Sequence, residues 1–298
     1  MISLLRVLRD AKNSSRDELS NDDSHSDDSS TRCAPLAMIA VYDAPTAALC
    51  CQAGADLLLV GDSLGNVVLG FDSTVAVTTE MMLHHTGAVV RGMRNSARQV
   101  PVLADLPFAS YASVDDAIRH SAALMRAGAH GVKLEGTGEN VLRAVRTLTE
   151  MGAPVVGHLG FTPQSSGVLN GVVQGKTAEN ARRLLESAQL LESAGCVALV
   201  LEAIPSEVAQ VVTQNLGIPT IGIGAGAGCD GQVLVWHDLV GFSAGKPFRF
   251  VKRFANAHET LANATRDFVE EVHSGAFPRR ENQYAMPDKE REAWMNER

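Results

Sequence analysis

Eight short apolar runs, separated by longer stretches with helical periodicity, strongly limit the folds that this chain can adopt. Each run is rich in Val, Ile and Leu and is bounded by Gly, Pro or a charged residue, which is typical of buried parallel strands. The runs cover residues 36–42, 56–60, 100–104, 131–134, 153–157, 197–201, 218–223 and 232–236. Eight strands alternating with helices over about 240 residues predict a TIM barrel, (β/α)8, in preference to a doubly wound sheet.

The stretches between the runs carry helix start and stop signals. Ser113 is placed as an N-cap, with Asp116 three residues later, and Gly195 follows the last apolar position of another helical pattern. Pro205 suits a first helical turn. The interval between the seventh and eighth runs is too short for a helix, and a long helical stretch over 251–274 is expected to close the fold.

Ionisable residues stand at or directly after the ends of the first six runs. They are Asp43, Asp62, Asp105, the pair Lys133 and Glu135, His158, and Glu202. Strand ends are often polar because they meet solvent, so one such residue alone would carry little weight. Six runs in succession carry more, because the carboxyl ends of all barrel strands meet at one mouth, where the active sites of this fold lie. The sequence therefore predicts a catalytic site at that mouth.

Asp62, Asp105 and Glu135 form an all-oxygen set that predicts a site for a hard divalent cation. Carboxylates that face one another repel unless a cation lies between them. Oxygen ligands suit Mg²⁺, which also keeps several waters. Two neighbouring oxygens of a 2-oxo acid could bind the same ion, which would polarise the keto group and make the adjacent carbon acidic.

Three further residues have candidate roles in such chemistry. Lys133 lies on the same strand face as Glu135 and could pair with the carboxylate or the enolate oxygen of a keto acid. A Schiff-base role is disfavoured, because nearby carboxylates would keep the amine protonated. Glu202, on a different strand, is the candidate base. His158 is either a hydrogen-bond partner of the substrate or of metal-bound water, or an ordinary barrel histidine.

Composition and charge exclude several other classes of protein. The formal net charge is −8, which offers no basic surface for nucleic acid. No apolar run approaches the roughly 20 residues that span a bilayer, so no membrane segment is expected. The five cysteines are odd in number and include no C-x-x-C pair. They suggest neither a disulfide framework nor a zinc site, and they predict a reducing, cytoplasmic location.

The two ends of the chain differ from the barrel in composition. Residues 13–31 are acidic, polar and nearly free of large apolar side chains, so residues 1–34 are predicted to form a disordered N-terminal extension. The first ten residues contain apolar positions and could instead form a tethering helix, although their charges exclude a signal peptide. Residues 35–278 are assigned to the catalytic barrel, and residues 279–298 to a charged C-terminal tail.

Two short motifs suggest other functions. The letters GDSL at 61–64 match a serine-esterase signature, but that mechanism needs an Asp-x-x-His pair after the serine, and here Asp22 and His25 precede it. The letters GAGCDG at 226–231 match the G-x-G-x-x-G of dinucleotide-binding proteins. No long helix is predicted after them and no acid follows about 20 residues later, so they are interpreted as a tight turn at the rim.

Several longer strings, in order, resemble the ketopantoate hydroxymethyltransferase family. They are VYDAPTAAL, LLLVGDSLGNVVLGFDSTVAVT, VLADLPFASYAS, RAGAHGVKLEG, PVVGHLGFTPQS, LVLEAIPSEVA, IPTIGIGAG and DGQVLVWHDLVG, between Leu36 and Phe277. The resemblance implies a barrel similar to phosphoenolpyruvate mutase and isocitrate lyase. It also implies transfer of a hydroxymethyl group from 5,10-methylenetetrahydrofolate to 2-oxoisovalerate (3-methyl-2-oxobutanoate). The product would be 2-dehydropantoate (ketopantoate), in the first step of pantothenate biosynthesis.

Carried over by motif, the resemblance implies that Asp62 and Asp105 bind Mg²⁺, that Glu135 completes the metal site, and that Glu202 accepts a proton. The candidate substrate-binding residues are then Asp62, Ser63, Asp105, Lys133 and His158. The family also implies a homo-oligomer, often a decamer. One alternative is another Mg²⁺-dependent carbon–carbon lyase acting on 2-oxo acids in the same superfamily, which usually carries a Lys-Lys-Cys-Gly-His string absent from this sequence. The other is a barrel that binds without catalysis.

Overall fold

The computed structural model describes residues 3–20, 34–169, 171–243 and 247–297, without the side chains of residues 14–20. Its centre is a closed barrel of eight parallel strands in sequential order, in which the last strand pairs with the first. The TIM barrel prediction is confirmed. The strands are β1 (Leu36–Ala40), β2 (Leu57–Val60), β3 (Val102–Asp105), β4 (Gly131–Glu135), β5 (Val155–Gly160), β6 (Ala198–Glu202), β7 (Thr220–Ile223) and β8 (Gly231–Val235).

Helices follow the strands in the alternation that the sequence predicted. They are α1 (Leu4–Ser20), α2 (Ala44–Gln52), α3 (Leu64–Val67), α4 (Thr79–Arg94), α5 (Val114–Arg126), α6 (Glu139–Glu150), α7 (Ala178–Ala194), α8 (Ser206–Asn215), α9 (Trp236–Leu239), α10 (Ala257–Ser274) and α11 (Asp288–Asn296). Each of the first six strands is followed by one long helix, with the short α3 inserted after β2. Residues 224–230, between β7 and β8, contain no helix, as expected.

The predicted helix signals agree with the structure, with one difference in bounds. The Ser113 hydroxyl accepts a hydrogen bond from the Asp116 amide at 3.2 Å and caps α5, and α7 ends at Gly195 in a left-handed conformation with φ 108°. The predicted helix over 251–274 begins later, at Ala257. The preceding segment is instead tied to the end of α9, because the Phe254 amide donates to the Leu239 carbonyl oxygen.

Helix α1 corrects the prediction for the N-terminal extension. The chain is helical from Leu4 to Ser20, and the side chains of Leu4, Leu8 and Ala11 are buried in the main hydrophobic core. These three positions have helical spacing, which places them on one face of α1. The alternative of a tethering helix is therefore confirmed for this segment, and the helix extends beyond the first ten residues to Ser20. The predicted disorder of residues 21–33 lies outside the described residues.

Lys12 fixes α1 to the N-terminal end of the barrel. Its ammonium group donates to the Thr213 carbonyl oxygen at 2.7 Å and lies 3.3 Å from Asp230 Oδ2. The same carboxylate accepts a hydrogen bond from the Thr220 amide at 2.8 Å, where β7 begins. The charges are buried as a pair with several hydrogen bonds, which is the condition under which a buried lysine is tolerated.

The C-terminal helices lie outside the barrel core. Neither α10 nor α11 contains a buried residue, although α10 exposes about half of the surface of Leu261 and Phe268. The predicted charged tail, residues 279–298, contains α11 and is exposed throughout its described part. An amphipathic helix with an uncovered apolar face is a surface that a second chain can cover.

Candidate active site

A cavity of about 470 Å³ opens at the carboxyl ends of the strands. Seven of the eight ionisable or hydroxyl-bearing residues singled out in the sequence line it. They are Asp62, Ser63, Asp105, Lys133, Glu135, His158 and Glu202. The strand order brings them together from β2 through β6 around one side of the mouth. Their roles in a reaction stay predictions.

Strand register places Lys133 beside Asp105. The two residues are direct partners in the pairing of β3 with β4, and Lys133 Nζ lies 3.1 Å from Asp105 Oδ2. Burial alone would lower the pKa of Lys133, but the carboxylates around it raise that pKa above its usual range. Lys133 is therefore a fixed positive charge, which supports an electrostatic role and disfavours a Schiff base.

Register also places Glu135 beside His158, and His158 connects it to Glu202. Glu135 and His158 are partners between β4 and β5, and His158 Nδ1 lies 3.2 Å from Glu135 Oε1. On its other side His158 Nε2 lies 3.3 Å from Glu202 Oε2. This second contact is an ion pair without hydrogen-bond geometry.

The electrostatics of this chain of three residues favour a protonated imidazole. Burial and Lys133 lower the pKa of His158, but the two flanking glutamates outweigh them and raise it to about 9. Burial would raise the pKa of Glu135, yet the hydrogen bond and charge of His158 hold it below its usual range. At neutral pH, Glu135 and His158 therefore form a charged pair.

Asp62 and Asp105 are buried acids in close proximity. The Asp62 amide donates to Asp105 Oδ2 at 3.1 Å. Burial, reinforced by the Asp105 carboxylate, raises the pKa of Asp62 to about 7, and burial also raises the pKa of Asp105. Asp105 Oδ1 is buried and has no hydrogen-bond partner among the described residues. Such a pair is costly unless a cation or a proton is shared at the site.

Gln164 is the residue that sequence reasoning missed. It lies in the 3₁₀ segment after β5, and its side-chain amide donates to Asp62 Oδ2 at 2.8 Å and to the Leu106 carbonyl oxygen at 2.9 Å. Its carbonyl oxygen accepts from the Tyr111 hydroxyl at 2.6 Å, and its backbone amide donates to Glu135 Oε2 at 3.1 Å. One buried side chain thus ties the segments after β2, β3 and β5 together.

The surroundings of Ser63 argue against the esterase alternative. The Ser63 hydroxyl forms a 2.7 Å hydrogen bond with the Tyr42 hydroxyl, not with an imidazole. Burial raises the pKa of Tyr42 above its usual range, so this phenol stays neutral and cannot act as a base. A serine nucleophile needs a base within hydrogen-bond distance. Ser63 faces the cavity beside Asp62 as a polar contact.

Two sequence expectations are corrected at the barrel ends. Asp43 does not line the cavity; its carboxylate accepts a hydrogen bond from the Thr46 amide at 2.8 Å and caps α2. The GAGCDG segment is not a tight turn at the rim. It runs from the mouth to the opposite end of the barrel, where Asp230 contacts the start of β7. Gly226 packs so closely against Ser206 of α8 that a Cβ there would lie 2.5 Å from the serine Cβ.

The metal-ligand set stays a prediction. Across residues 3–20, 34–169, 171–243 and 247–297, no three His, Cys, Asp or Glu side chains are grouped closely enough to hold a metal ion. Both carboxylate oxygens of Glu135 are engaged, one by His158 and the other by the Gln164 amide. Asp62 and Asp105 have more capacity left for a cation: burial raises the pKa of both even though Lys133 pairs with Asp105, and Asp105 Oδ1 has no hydrogen-bond partner among the described residues.

Solved structures with the same architecture define the class of fold. The chain is similar to phosphonopyruvate hydrolase in complex with oxalate and Mg²⁺, with a TM-score of 0.58 and 13% identity over 94% of this chain and 93% of the other. It is also similar to 2,3-dimethylmalate lyase, a PEP mutase/isocitrate lyase superfamily member, with a TM-score of 0.53 and 18% identity over 96% and 95%. The chain therefore shares the barrel fold of these proteins.

Sequence comparison identifies the family within that class. The family model described as ketopantoate hydroxymethyltransferase matches residues 24–280. A 3-methyl-2-oxobutanoate hydroxymethyltransferase of Geobacillus sp. (strain WCH70) is 48% identical over 259 residues, 86% of this chain and 91% of the relative. One of Gluconacetobacter diazotrophicus is 52% identical over 244 residues, 82% and 87%. The chain belongs to the ketopantoate hydroxymethyltransferase family, which favours that assignment over the superfamily lyase.

Proposed function

We propose that the protein transfers a hydroxymethyl group from 5,10-methylenetetrahydrofolate to 2-oxoisovalerate and forms ketopantoate. The C3–H bond of the keto acid breaks, and C3 forms a bond to the methylene carbon of the donor. Both carbon–nitrogen bonds of that methylene group break, and the two nitrogens keep the bonding electron pairs and gain one proton each, one of them released from C3 and the other from water. Water supplies the new hydroxyl group, so the products are ketopantoate and tetrahydrofolate without net oxidation or reduction.

The observation that carries this proposal is the buried positive charge of Lys133, which lines the cavity. It is made in a chain that belongs to the ketopantoate hydroxymethyltransferase family. Lys133 offers a permanent positive charge to the carboxylate or the developing enolate oxygen of the keto acid. Ser63 lines the same cavity as a hydroxyl contact. The protein therefore stabilises negative charge at the place where removal of the C3 proton would create it.

Glu202 is the proposed acceptor of the C3 proton. Glu202 and Glu135 flank His158, and Glu202 is the more accessible of the two carboxylates, with a side chain that is 18% exposed. The protonated His158 orients Glu202 through their 3.3 Å ion pair and is itself held by Glu135. A base held by a second group in this way has the arrangement that general-base catalysis requires.

Mg²⁺ is proposed as the cofactor. Asp62 and Asp105 fit it best, because both are buried and Asp105 Oδ1 has no hydrogen-bond partner among the described residues. Glu135, whose oxygens already bind His158 and Gln164, suits contact through a retained water better than direct ligation. When bound, the ion would supply Lewis-acid polarisation of the keto group.

The direct test is formation of ketopantoate from 2-oxoisovalerate and 5,10-methylenetetrahydrofolate by the purified protein with Mg²⁺. We expect stoichiometric formation of ketopantoate and tetrahydrofolate, and loss of the reaction when EDTA is added. Cleavage of a substituted malate or of oxaloacetate, without ketopantoate formation, would instead support the lyase alternative. Activity that is unchanged after exhaustive metal removal would contradict the cofactor assignment.

Cytoplasmic location and homo-oligomerisation also belong to the proposal. The four cysteines that the structure describes are buried and free, which suits a reducing compartment. In the same described part of the chain, no helix combines the length and apolarity that crossing a bilayer requires. The uncovered apolar face of α10 supports assembly with further copies, for which the family suggests a decamer. Sedimentation of the full chain tests this, with a monomer at micromolar concentration as the contrary result.

A further inference from the structure

The cavity is larger than the keto acid requires. A 2-oxo acid with eight non-hydrogen atoms displaces about five waters, roughly 150 Å³, whereas the cavity measures about 470 Å³. Asp62, Asp105, Lys133, Glu135, His158 and Glu202 occupy the β2–β6 side of the mouth. The remaining side, formed by β7, β8 and the segments that follow them, has a different chemistry and is called the β7–β8 sector below.

Apolar and aromatic groups line the β7–β8 sector. Its inner surface is formed by Ile223, Val233 and Val235. Its outer surface is formed by Phe248 and Phe250, whose rings are stacked with centroids 5.4 Å apart and an interplanar angle of 2°. Phe248 keeps 57% of its surface exposed. A fixed, exposed aromatic ring at the mouth of an active-site cavity is a surface on which a planar ligand can stack.

The end of β7 holds the two rings in place. Gly224, directly after β7, has φ +63°, and a Cβ at this position would lie 2.7 Å from Phe250 Cδ1. The absence of a side chain at Gly224 therefore lets Phe250 pack directly against the backbone. Phe250 in turn supports Phe248. The aromatic pair is thus a consequence of the barrel backbone and does not depend on the ligand for its position.

A carboxylate accompanies the aromatic pair. Asp238, in α9 after β8, lines the same cavity as Phe248 and Phe250. A carboxylate beside an apolar, aromatic surface is complementary to a planar heterocycle with adjacent ring N–H and amino donors. Neither feature is needed to bind a small keto acid.

We propose that the β7–β8 sector binds the planar heterocycle that carries the one-carbon unit, with the ring stacked on Phe248 and hydrogen-bonded to Asp238. This inference rests on the proposed hydroxymethyl transfer. In a closed barrel of eight strands in sequential order, β7 lies opposite β3 and β8 lies opposite β4. The donor therefore approaches across the barrel axis from the keto acid held near Asp105 and Lys133.

Glu202 stands between the two bound molecules. It ends β6, the strand next to β7, and pairs in register with Ile223 of β7. A carrier in the β7–β8 sector would thus place its methylene carbon beside the carbon that Glu202 deprotonates. Free formaldehyde, which has the same oxidation level, has no ring and would need neither Phe248 nor Asp238.

Phe248→Ala tests the inference by separating the two substrates. We expect the KM for 5,10-methylenetetrahydrofolate to rise by about tenfold, since a stacked ring contributes on this scale, and the Kd of tetrahydrofolate measured by calorimetry to rise in parallel. Exchange of the C3 hydrogen of 2-oxoisovalerate with deuterium oxide, and ketopantoate formation from formaldehyde, should change by less than twofold. Phe248→Trp should restore the KM, and Asp238→Asn should weaken tetrahydrofolate binding.

Phe254→Ala is the matched control, because Phe254 is 64% exposed, follows in the same segment and does not line the cavity. An unchanged KM and Kd in Phe248→Ala, or an equal effect of Phe254→Ala, would overturn the inference while leaving the proposed function intact. If Phe248→Ala changed the oligomer mass measured by sedimentation but not the KM, the Phe248 ring would belong to a subunit contact, and this result would also overturn the inference. A wild-type protein that forms no ketopantoate would overturn both proposals.

Discussion

Replacement of Gln164 by leucine should destabilise the protein strongly, because the side chain satisfies three buried or half-buried groups. Leucine has a similar size but no polar atoms, so Asp62 Oδ2 and the Leu106 carbonyl oxygen would each lose a donor. Each buried group left without a partner costs about 1–3 kcal/mol. Tyr111, being half-buried, can turn toward water. For two such groups we therefore expect the free energy of unfolding to fall by about 2–6 kcal/mol.

Urea denaturation followed by circular dichroism, in EDTA at pH 8, measures this loss. Gln52→Leu, at the exposed end of α2, is the matched control and should change the free energy by less than about 0.5 kcal/mol. Tyr111→Phe should cost about 1 kcal/mol in the wild type and close to nothing in Gln164→Leu, since the hydrogen bond of Tyr111 depends on the amide. A loss below 1 kcal/mol for Gln164→Leu, or full additivity with Tyr111→Phe, would refute this reasoning.

Three further predictions concern charge and packing. The pKa of His158 is about 9 in the folded protein, against an ordinary value of 6.5. The protonated His158 therefore contributes its full stabilisation of the folded state below pH 6.5, and this contribution is lost as the pH rises to 9. Urea denaturation in EDTA should show a decrease of about 3 kcal/mol over that range in the wild type that is absent from His158→Gln; equal pH slopes would contradict it. Asp62→Asn should abolish Mg²⁺ binding measured by calorimetry, yet it should raise the urea midpoint at pH 8 because it removes a buried charge. Ser63→Ala should retain Mg²⁺ binding and much of the turnover. Weak Mg²⁺ binding in Ser63→Ala alone would reverse the roles assigned to these two residues. Leu8 is buried, so Leu8→Ala should lower the free energy of unfolding by about 2–4 kcal/mol. Leu49→Ala, at an exposed position, is the control and should lower it by less than about 0.5 kcal/mol. Equal losses would show that α1 is not packed on the barrel.

The barrel and most of the candidate site could be predicted from the sequence because both depend on local signals. Buried strands appear in the sequence as short apolar runs, and in a TIM barrel the residue that ends such a run lies at the mouth. Lys133 and Glu135 share one strand face, and register with the neighbouring strands then sets their contacts with Asp105 and His158. These contacts follow from spacing along the chain once the strand order is known.

What the sequence did not predict depends on contacts between distant segments. Gln164 is 102 residues from Asp62, and nothing in the string around it distinguishes a buried amide from a polar loop residue. Asp43 was misassigned because an acid that caps a helix and an acid that faces a cavity look alike after a strand. A helix near the N-terminus was only an alternative in the sequence, and its docking on the barrel was not predicted, because Lys12 finds its partner, Asp230, 218 residues away.

Hydrogen exchange at C3 of 2-oxoisovalerate tests the central claim, that Glu202 removes this proton within the charged cavity. The assay uses the protein with Mg²⁺ in deuterium oxide, without folate, and follows loss of the C3 proton signal by NMR. We predict measurable exchange in the wild type and loss of at least a hundredfold in Glu202→Gln, while the keto acid still binds in calorimetry. Exchange at the wild-type rate in Glu202→Gln would contradict the account.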